Sequence, residues 1–230
     1  MREIVLDTET TGLDPQAGHR VVEVGLIELF NTVATGTSFQ AYFNPEMAMP
    51  AGAQDVHGLS DGFLSDKPLF AERAAEMMDF IGDAQLVIHN AQFDLGFLNA
   101  ELARAGLPKI ANEYVDTVSM ARRKFPGQRV SLDALCERLG VDNAHRTRHG
   151  ALLDAELLAE VYLELSGGRQ RDLGLAAEIA RAGFNGGKLA AGVEIRVARV
   201  FPVHADELAA HVEFVKTKLS GALWLKEADA

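Results

Sequence analysis

The chain is poor in cysteine, in long apolar runs and in positive charge, and each scarcity removes a class of explanation. Cys136 is the only cysteine among 230 residues, so an internal disulfide is excluded and a reducing, cytoplasmic setting is expected. Its surroundings, "SLDALCERLG", predict a buried helical residue rather than a nucleophile. No apolar stretch is long enough to span a bilayer. Met1-Arg2-Glu3 runs directly into a strand pattern, which is not the pattern of a signal peptide. Against 33 acidic residues stand only 22 Lys and Arg, a net charge of −11. That balance argues against a broad nucleic-acid footprint, but not against an enzyme that grips a few nucleotides through metal ions. Positive charge gathers locally at Arg122, Arg123, Lys124 and Arg129, and again at Arg146 and Arg148. Either cluster is a guide for a phosphate backbone or a solvated face. No internal repeat or low-complexity tract is present.

What is present begins with "EIVLDTETTG", Glu3 to Gly12. A hydrophobic strand there ends in two carboxylates, Asp7 and Glu9, at i and i+2. On an extended strand this spacing points both to one face, where they repel and raise each other's pKa. A positive group between them would relieve the repulsion, and a divalent cation is the obvious one.

Periodicity places the rest. "RVVEVGLIEL" (Arg20 to Leu29) and "TSFQAYFNP" (Thr37 to Pro45) continue an antiparallel meander. From Lys67 the period changes to helical in "PLFAERAAEMMDFI", with Pro68 at an expected first helical position. "AQLVIHN" is a short buried strand and "FDLGFLNAELARAG" (Phe93 to Gly106) a helix stopped by Gly106 and Pro108. "EYVDTVSMARRKFPG" reads as a short strand entering a helix. "SLDALCERLG" is a helix capped by Ser131 and ended at Gly140. "HGALLDAELLAEVYLELSGG" is the longest amphipathic helix, stopped by Gly167 and Gly168. Three antiparallel strands followed by alternating helix and strand predict a mixed α/β sheet.

Beyond Gly168 the composition shifts to Gly and Ala, as in a linker. A strand is expected around Val193, Ile195 and Val197. A helix with Leu208, Val212, Val215 and Leu219 on one stripe follows, and the sole tryptophan, Trp224, stands near the end.

Further acidic ligands can be sought along this frame. Asp94 falls in the first turn of the helix after a buried strand, where a helix-terminal acid would also be favoured. Asp154 interrupts the apolar Ala151, Leu152, Leu153 and Leu157, and a carboxylate there needs a salt bridge or a metal. His149, five residues earlier, would point roughly 140° away in a continuous helix. It reaches the same site only from the loop or first turn before that helix. His145 and His204 read as ordinary surface residues. Four converging carboxylates can hold two hard divalent cations, and a neutral histidine beside them can take a proton from water. That is machinery for hydrolysing a phosphodiester.

The order Asp7/Glu9, Asp94, His149/Asp154 resembles the three motifs of the DEDD exonuclease superfamily in its His-containing branch. The segments "DTETTGLDP", "VHGLSDGFLSDKP", "LVIHNAQFDLGFL", "KFPGQRVSLDALCERLGVDN" and "RTRHGALLDAELLAEVYLELSGG" are similar to the epsilon subunits of bacterial DNA polymerase III, nearly unbroken from residue 3 to 168. The resemblance implies a ribonuclease H-like sheet with helices on both faces and a small C-terminal strand-helix segment. It implies 3'→5' proofreading of single-stranded or frayed DNA ends with two Mg2+ or Mn2+ ions. Asp7, Glu9 and Asp154 would hold the ion that carries the attacking water, Asp7 would bridge to the second ion, and Asp94 would bind that one. His149 would be the general base. His57, in "VHGL", would contact the terminal nucleotide, unless it is simply a turn residue before Gly58. Domains are expected at 1–168 (exonuclease), 169–191 (linker) and 192–230 (binding to the polymerase alpha subunit). "QRDLGL" resembles sliding-clamp peptides, with Gln170, Leu173 and Leu175 as anchors. Two other readings are a free-standing exonuclease for RNA or single-stranded DNA, and a non-catalytic assembly module on the same fold.

Overall fold

The computed structural model describes residues 1–144, 146, 148–168 and 204–218. The chain divides into two units, residues 1–175 and 176–230. In the first, β1 (Arg2–Thr10), β2 (Val21–Phe30), β3 (Val33–Tyr42), β4 (Gln85–Ile88) and β5 (Tyr114–Asp116) form one sheet in the order β3-β2-β1-β4-β5. β1, β2 and β3 pair antiparallel, whereas β4 joins β1 and β5 in parallel. This is the expected mixed sheet. β3 begins at Val33 rather than Thr37, because Asn31 and Thr32 both take positive φ (53° and 68°) and turn the chain in two residues.

Alternation along β1 divides the core. Ile4 and Leu6 face α3 (Phe70–Ile81) and α4 (Ala91–Arg104), packing with Met77, Ile81, Phe97 and Leu98. Val5 faces α5 (Thr117–Lys124), α6 (Leu132–Leu139) and α7 (Ala151–Leu165), among Leu135, Leu158 and Val161. The helix α6 is bounded as expected: Ser131 Oγ accepts from the Ala134 amide, and Gly140 closes it at φ 71°. Cys136 on it is fully buried. Pro68 lies outside α3, whose first turn is held by Glu72 accepting from the Leu69 amide at 2.7 Å. Two short helices not expected from periodicity, α1 (Ala51–His57) and α2 (Asp61–Leu64), follow β3. They are too short for a helical period to emerge.

α7 is pinned to the sheet at both ends. Near its C-terminus, the Tyr162 hydroxyl donates to Glu3 Oε1 at 2.7 Å, and Lys124 Nζ caps the Glu164 and Leu165 carbonyls. At its N-terminus, Ala151 lies against Gly25 of β2, the residue paired with Asp7. A Cβ on Gly25 would stand 2.3 Å from the Ala151 carbonyl carbon, so only glycine lets the first turn of α7 settle there.

In the second unit, α8 (Ala205–Lys218) buries Val215 and exposes Leu208, Val212 and Phe214. The expected strand at 193–198, Leu219, Trp224, His145 and the Gln170, Leu173 and Leu175 peptide lie outside the described residues. No described helix is long and apolar enough to cross a membrane.

Because Gly25 meets backbone rather than a movable side chain, Gly25→Ala must displace α7. Thermal melting should show a loss of several degrees, and any activity that depends on residues 149–154 should fall with it.

Candidate active site

Asp7 and Glu9 continue the Val5 face of β1 and so point toward α7, as their spacing predicts. Glu9, Asp94 and Asp154 are buried polar groups. Asp94 enters from the first turn of α4 beneath the end of β1, where the Thr8 hydroxyl donates to its Oδ1 at 2.7 Å. Asp154 sits in the first turn of α7, directly after the contact between Ala151 and Gly25. His149 lies in the coil just before the N-cap Gly150, the position required for it to face Asp154. Its amide donates to the Val56 carbonyl at 3.3 Å, and its Nδ1 stands 3.1 Å from Asp154 Oδ2. One ligand atom each from Glu9, His149 and Asp154 lies within 4.8 Å of the others, a compass that a single cation can span. Asp7 and Asp94 lie outside that trio but within its electrostatic reach.

The electrostatics of the cluster are costly. Burial first, then Asp94, Glu9 and Asp154, push the Asp7 carboxyl well above its ordinary range. Glu9 is pushed up to about 8 by burial, then by Asp154 and by Glu23, its cross-strand partner, with Arg146 opposing. Burial raises Asp94 to about 7 against hydrogen bonds from Thr8 and from its own backbone. The repulsion expected within the Asp-x-Glu pair is therefore a minor part. Desolvation and carboxylates from other elements dominate.

The positive group beside the carboxylates is Arg146, which in the sequence stood only as a member of a basic cluster. Its side chain is 7% exposed, not a solvated or phosphate-guiding face. It donates from Nε and Nη2 to the two oxygens of Asp154, both at 2.6 Å, and from Nη2 to His149 Nδ1 at 2.6 Å. Arg148 is exposed, and its side chain lies over Gly58. No periodic signal could have marked Arg146, since it lies in coil. Gly25, by contrast, carried one: a glycine interrupting a β-branched strand.

Beside Glu9 opens a cavity of about 650 Å³, bounded by Thr10, Leu13, Val56, His57 and Phe93. His57 is buried at the C-terminus of α1, and its Nδ1 accepts from the Leu59 amide at 3.0 Å. The ring proton therefore resides on Nε2, which has no hydrogen-bond partner among the described residues. Burial lowers the His57 pKa, opposed by the Thr10 backbone and reinforced by His149.

The raised carboxyl pKa values set a pH dependence. Between about 4.5 and 8 the folded chain keeps a proton on Glu9 that the unfolded chain has lost, so stability falls as pH rises through that window. In the presence of a chelator, wild type should lose on the order of 3 kcal/mol relative to Glu9→Gln between pH 5 and 8. Denaturant melts of both proteins at the two pH values check this.

Residues 4–162 match the family model described as "Exonuclease". DNA polymerase III subunit epsilon of Rickettsia prowazekii is 48% identical over 219 aligned residues, covering 94% of this chain and 96% of that protein. The Escherichia coli K12 subunit of the same name is 43% identical and covers 97% of each chain. Among solved structures, the nuclease domain of 3'hExo, a DEDDh family member bound to rAMP, superposes with a TM-score of 0.63 at 20% identity, over 74% of this chain and 94% of that one. Exonuclease X in complex with 5' overhanging duplex DNA gives 0.57 at 22% identity, over 71% and 90%. The structural likenesses establish a ribonuclease H-like fold. With the sequence relatives spanning nearly the whole length, the chain belongs to the exonuclease family, among the epsilon subunits of DNA polymerase III.

Proposed function

We propose that this chain removes the 3'-terminal nucleotide of a mismatched primer as the proofreading subunit of a replicative polymerase. The observation that carries the reading is a buried cluster of acidic oxygens beside a cavity sized for one unstacked nucleotide. Asp7, Glu9, Asp94 and Asp154 fit hard divalent cations: all are oxygen donors, and burial raises the pKa of Asp7, Glu9 and Asp94, as expected of carboxyls withdrawn from water. Asp7, Glu9 and Asp154 would hold one Mg2+ or Mn2+, with Asp7 shared and Asp94 serving the second. Such ions supply Lewis-acid activation of water and stabilise the departing oxygen.

The chain's own residues do the rest. His149 takes the proton of the attacking water on the ring nitrogen that faces Asp154, and its half-exposed ring passes that proton to solvent. Water oxygen bonds to phosphorus and the bond to the neighbouring 3' oxygen breaks. A nucleoside 5'-monophosphate leaves, and the shortened primer keeps a 3' hydroxyl. His57 Nε2–H donates to the nucleotide held in the cavity, while Leu13, Val56 and Phe93 pack its base and sugar. Only a frayed end reaches this cavity, so the lower melting cost of a mismatch gives selectivity without reading the base.

Residues 1–168 form the exonuclease domain in this reading. Residues 169–191 link it to a polymerase-alpha-binding segment at 192–230, with Gln170, Leu173 and Leu175 as sliding-clamp anchors. The exposed Leu208 and Val212 of α8, one turn apart, are the apolar stripe such docking requires.

On a primer-template with a 3' mismatch and Mg2+, wild type should release nucleoside monophosphates from the 3' end. Asp7→Ala should be inactive, and His149→Ala should be slowed by about 10²–10⁴-fold. Val212→Asp should retain the activity of the isolated subunit and lose the gain on adding polymerase alpha. Metal-independent cleavage, or an active Asp7→Ala protein, would remove the catalytic reading. An undiminished gain with Val212→Asp would remove α8 from the interface.

A further inference from the structure

Arg146 occupies ground that the proposed metal chemistry also needs. Its guanidinium takes both oxygens of Asp154 and the Nδ1 of His149, two of the three groups that lie within one cation's compass. A divalent ion among the same atoms would compete with the guanidinium for the lone pairs it now uses, and the two cations would repel at that separation. Two features make exchange feasible. Arg146 is anchored in coil between α6 and α7, not on either helix. Its remaining nitrogen, Nη1, already donates at 2.5 Å to Asp133 on α6, whose side chain is 60% exposed and lies outside the ligand trio. Asp133 therefore offers the guanidinium an anionic resting place once Asp154 is taken by another cation.

We propose that Arg146 is a built-in exchangeable cation that holds Asp154 and His149 and yields both to a divalent ion, remaining tethered to Asp133. The inference rests on the reading of the buried carboxylates as metal ligands. Two opposing effects follow. Arg146 keeps the carboxylates compensated and the turn before α7 ordered, so it stabilises the fold. It also competes for Asp154, so it weakens binding of the ion. By donating to Nδ1, it further occupies the very nitrogen of His149 that faces the cluster, and its departure frees that lone pair. A purely structural arginine would produce the first effect without the second.

The full chain, free of DNA, is titrated calorimetrically with Mn2+ and melted in EDTA and in saturating Mn2+. Arg146→Gln should bind Mn2+ at least tenfold more tightly than wild type. It should melt several degrees lower in EDTA and recover most of that loss with Mn2+. Arg146→Lys retains the charge but lacks the two-pronged fit, so its affinity should fall between the two. Affinity unchanged or weakened in Arg146→Gln would overturn the proposal. If Arg146→Gln does not fold in EDTA, Arg146→Lys decides alone, since Mn2+ affinity equal to or below that of wild type overturns the proposal equally. Wild type and Asp7→Asn separate the underlying reading: if Mn2+ binding is absent, or indifferent to Asp7→Asn, the assignment of the metal ligands fails, whatever Arg146 does.

Discussion

The seating of the first turn of α7 on β2 is the contact on which the site depends. Asp7 and Glu9 are fixed by β1 and would face solvent or hydrocarbon wherever α7 was placed otherwise. The absence of a side chain at Gly25, opposite Asp7, lets Ala151 approach to backbone contact. That approach carries Asp154 and the preceding His149 over the strand. The second pin, Tyr162 on Glu3, fixes the angle of the same helix some eleven residues later. Between the two pins lies a continuous apolar face that includes Ala155, Leu158 and Val161. The geometry of the polar cluster is thus set by apolar packing and by one missing methyl group, not by attraction among its members, which mostly repel.

That repulsion has to be offset elsewhere. Three carboxyls are raised far above their ordinary pKa values, each mainly by burial. A fold that keeps them must draw stability from the two apolar layers on either side of β1 and from pairs such as Arg20 with the buried Glu101, joined at 2.7 Å. Such a site is strained toward cations by construction. The constraint runs from fold to chemistry: the sheet and α7 make a place where negative charge is too expensive to remain alone.

Much of this was legible in the sequence, for physical reasons that also explain the rest. Asp7 and Glu9 were readable because the strand period is two, and Asp94 because a helix start followed a short apolar run. Asp154 was readable because an acid interrupted an apolar helical stripe. The position of His149 followed from the angle it would otherwise have made with Asp154. The boundaries of α6 followed from Ser131 and Gly140. Residues acting from coil or through close approach left weaker traces. α1 and α2 are shorter than the period that would reveal them. Gly25 was visible only as an interruption in a strand, and Arg146 looked like any other member of a basic run. Charge clusters in sequence carry no information on burial; the two arginines two residues apart prove it, one enclosed among carboxylates and the other exposed.

The division between rigid and adjustable parts follows the same logic. The four carboxylates all stand on β1 or within the first turns of α4 and α7, elements whose positions are fixed by the core. His149 and Arg146 stand on the coil that feeds α7. A carboxylate cage must be rigid to remain unfavourable without a cation and favourable with one. A proton-accepting ring and a competing guanidinium must instead be able to change partners. Placing the first on secondary structure and the second on coil lets one short segment, residues 141–150, determine what the rigid cage holds. It meets the substrate side through the His149 amide on Val56, the same residue that walls the nucleotide-sized cavity, and through the Arg148 side chain over Gly58.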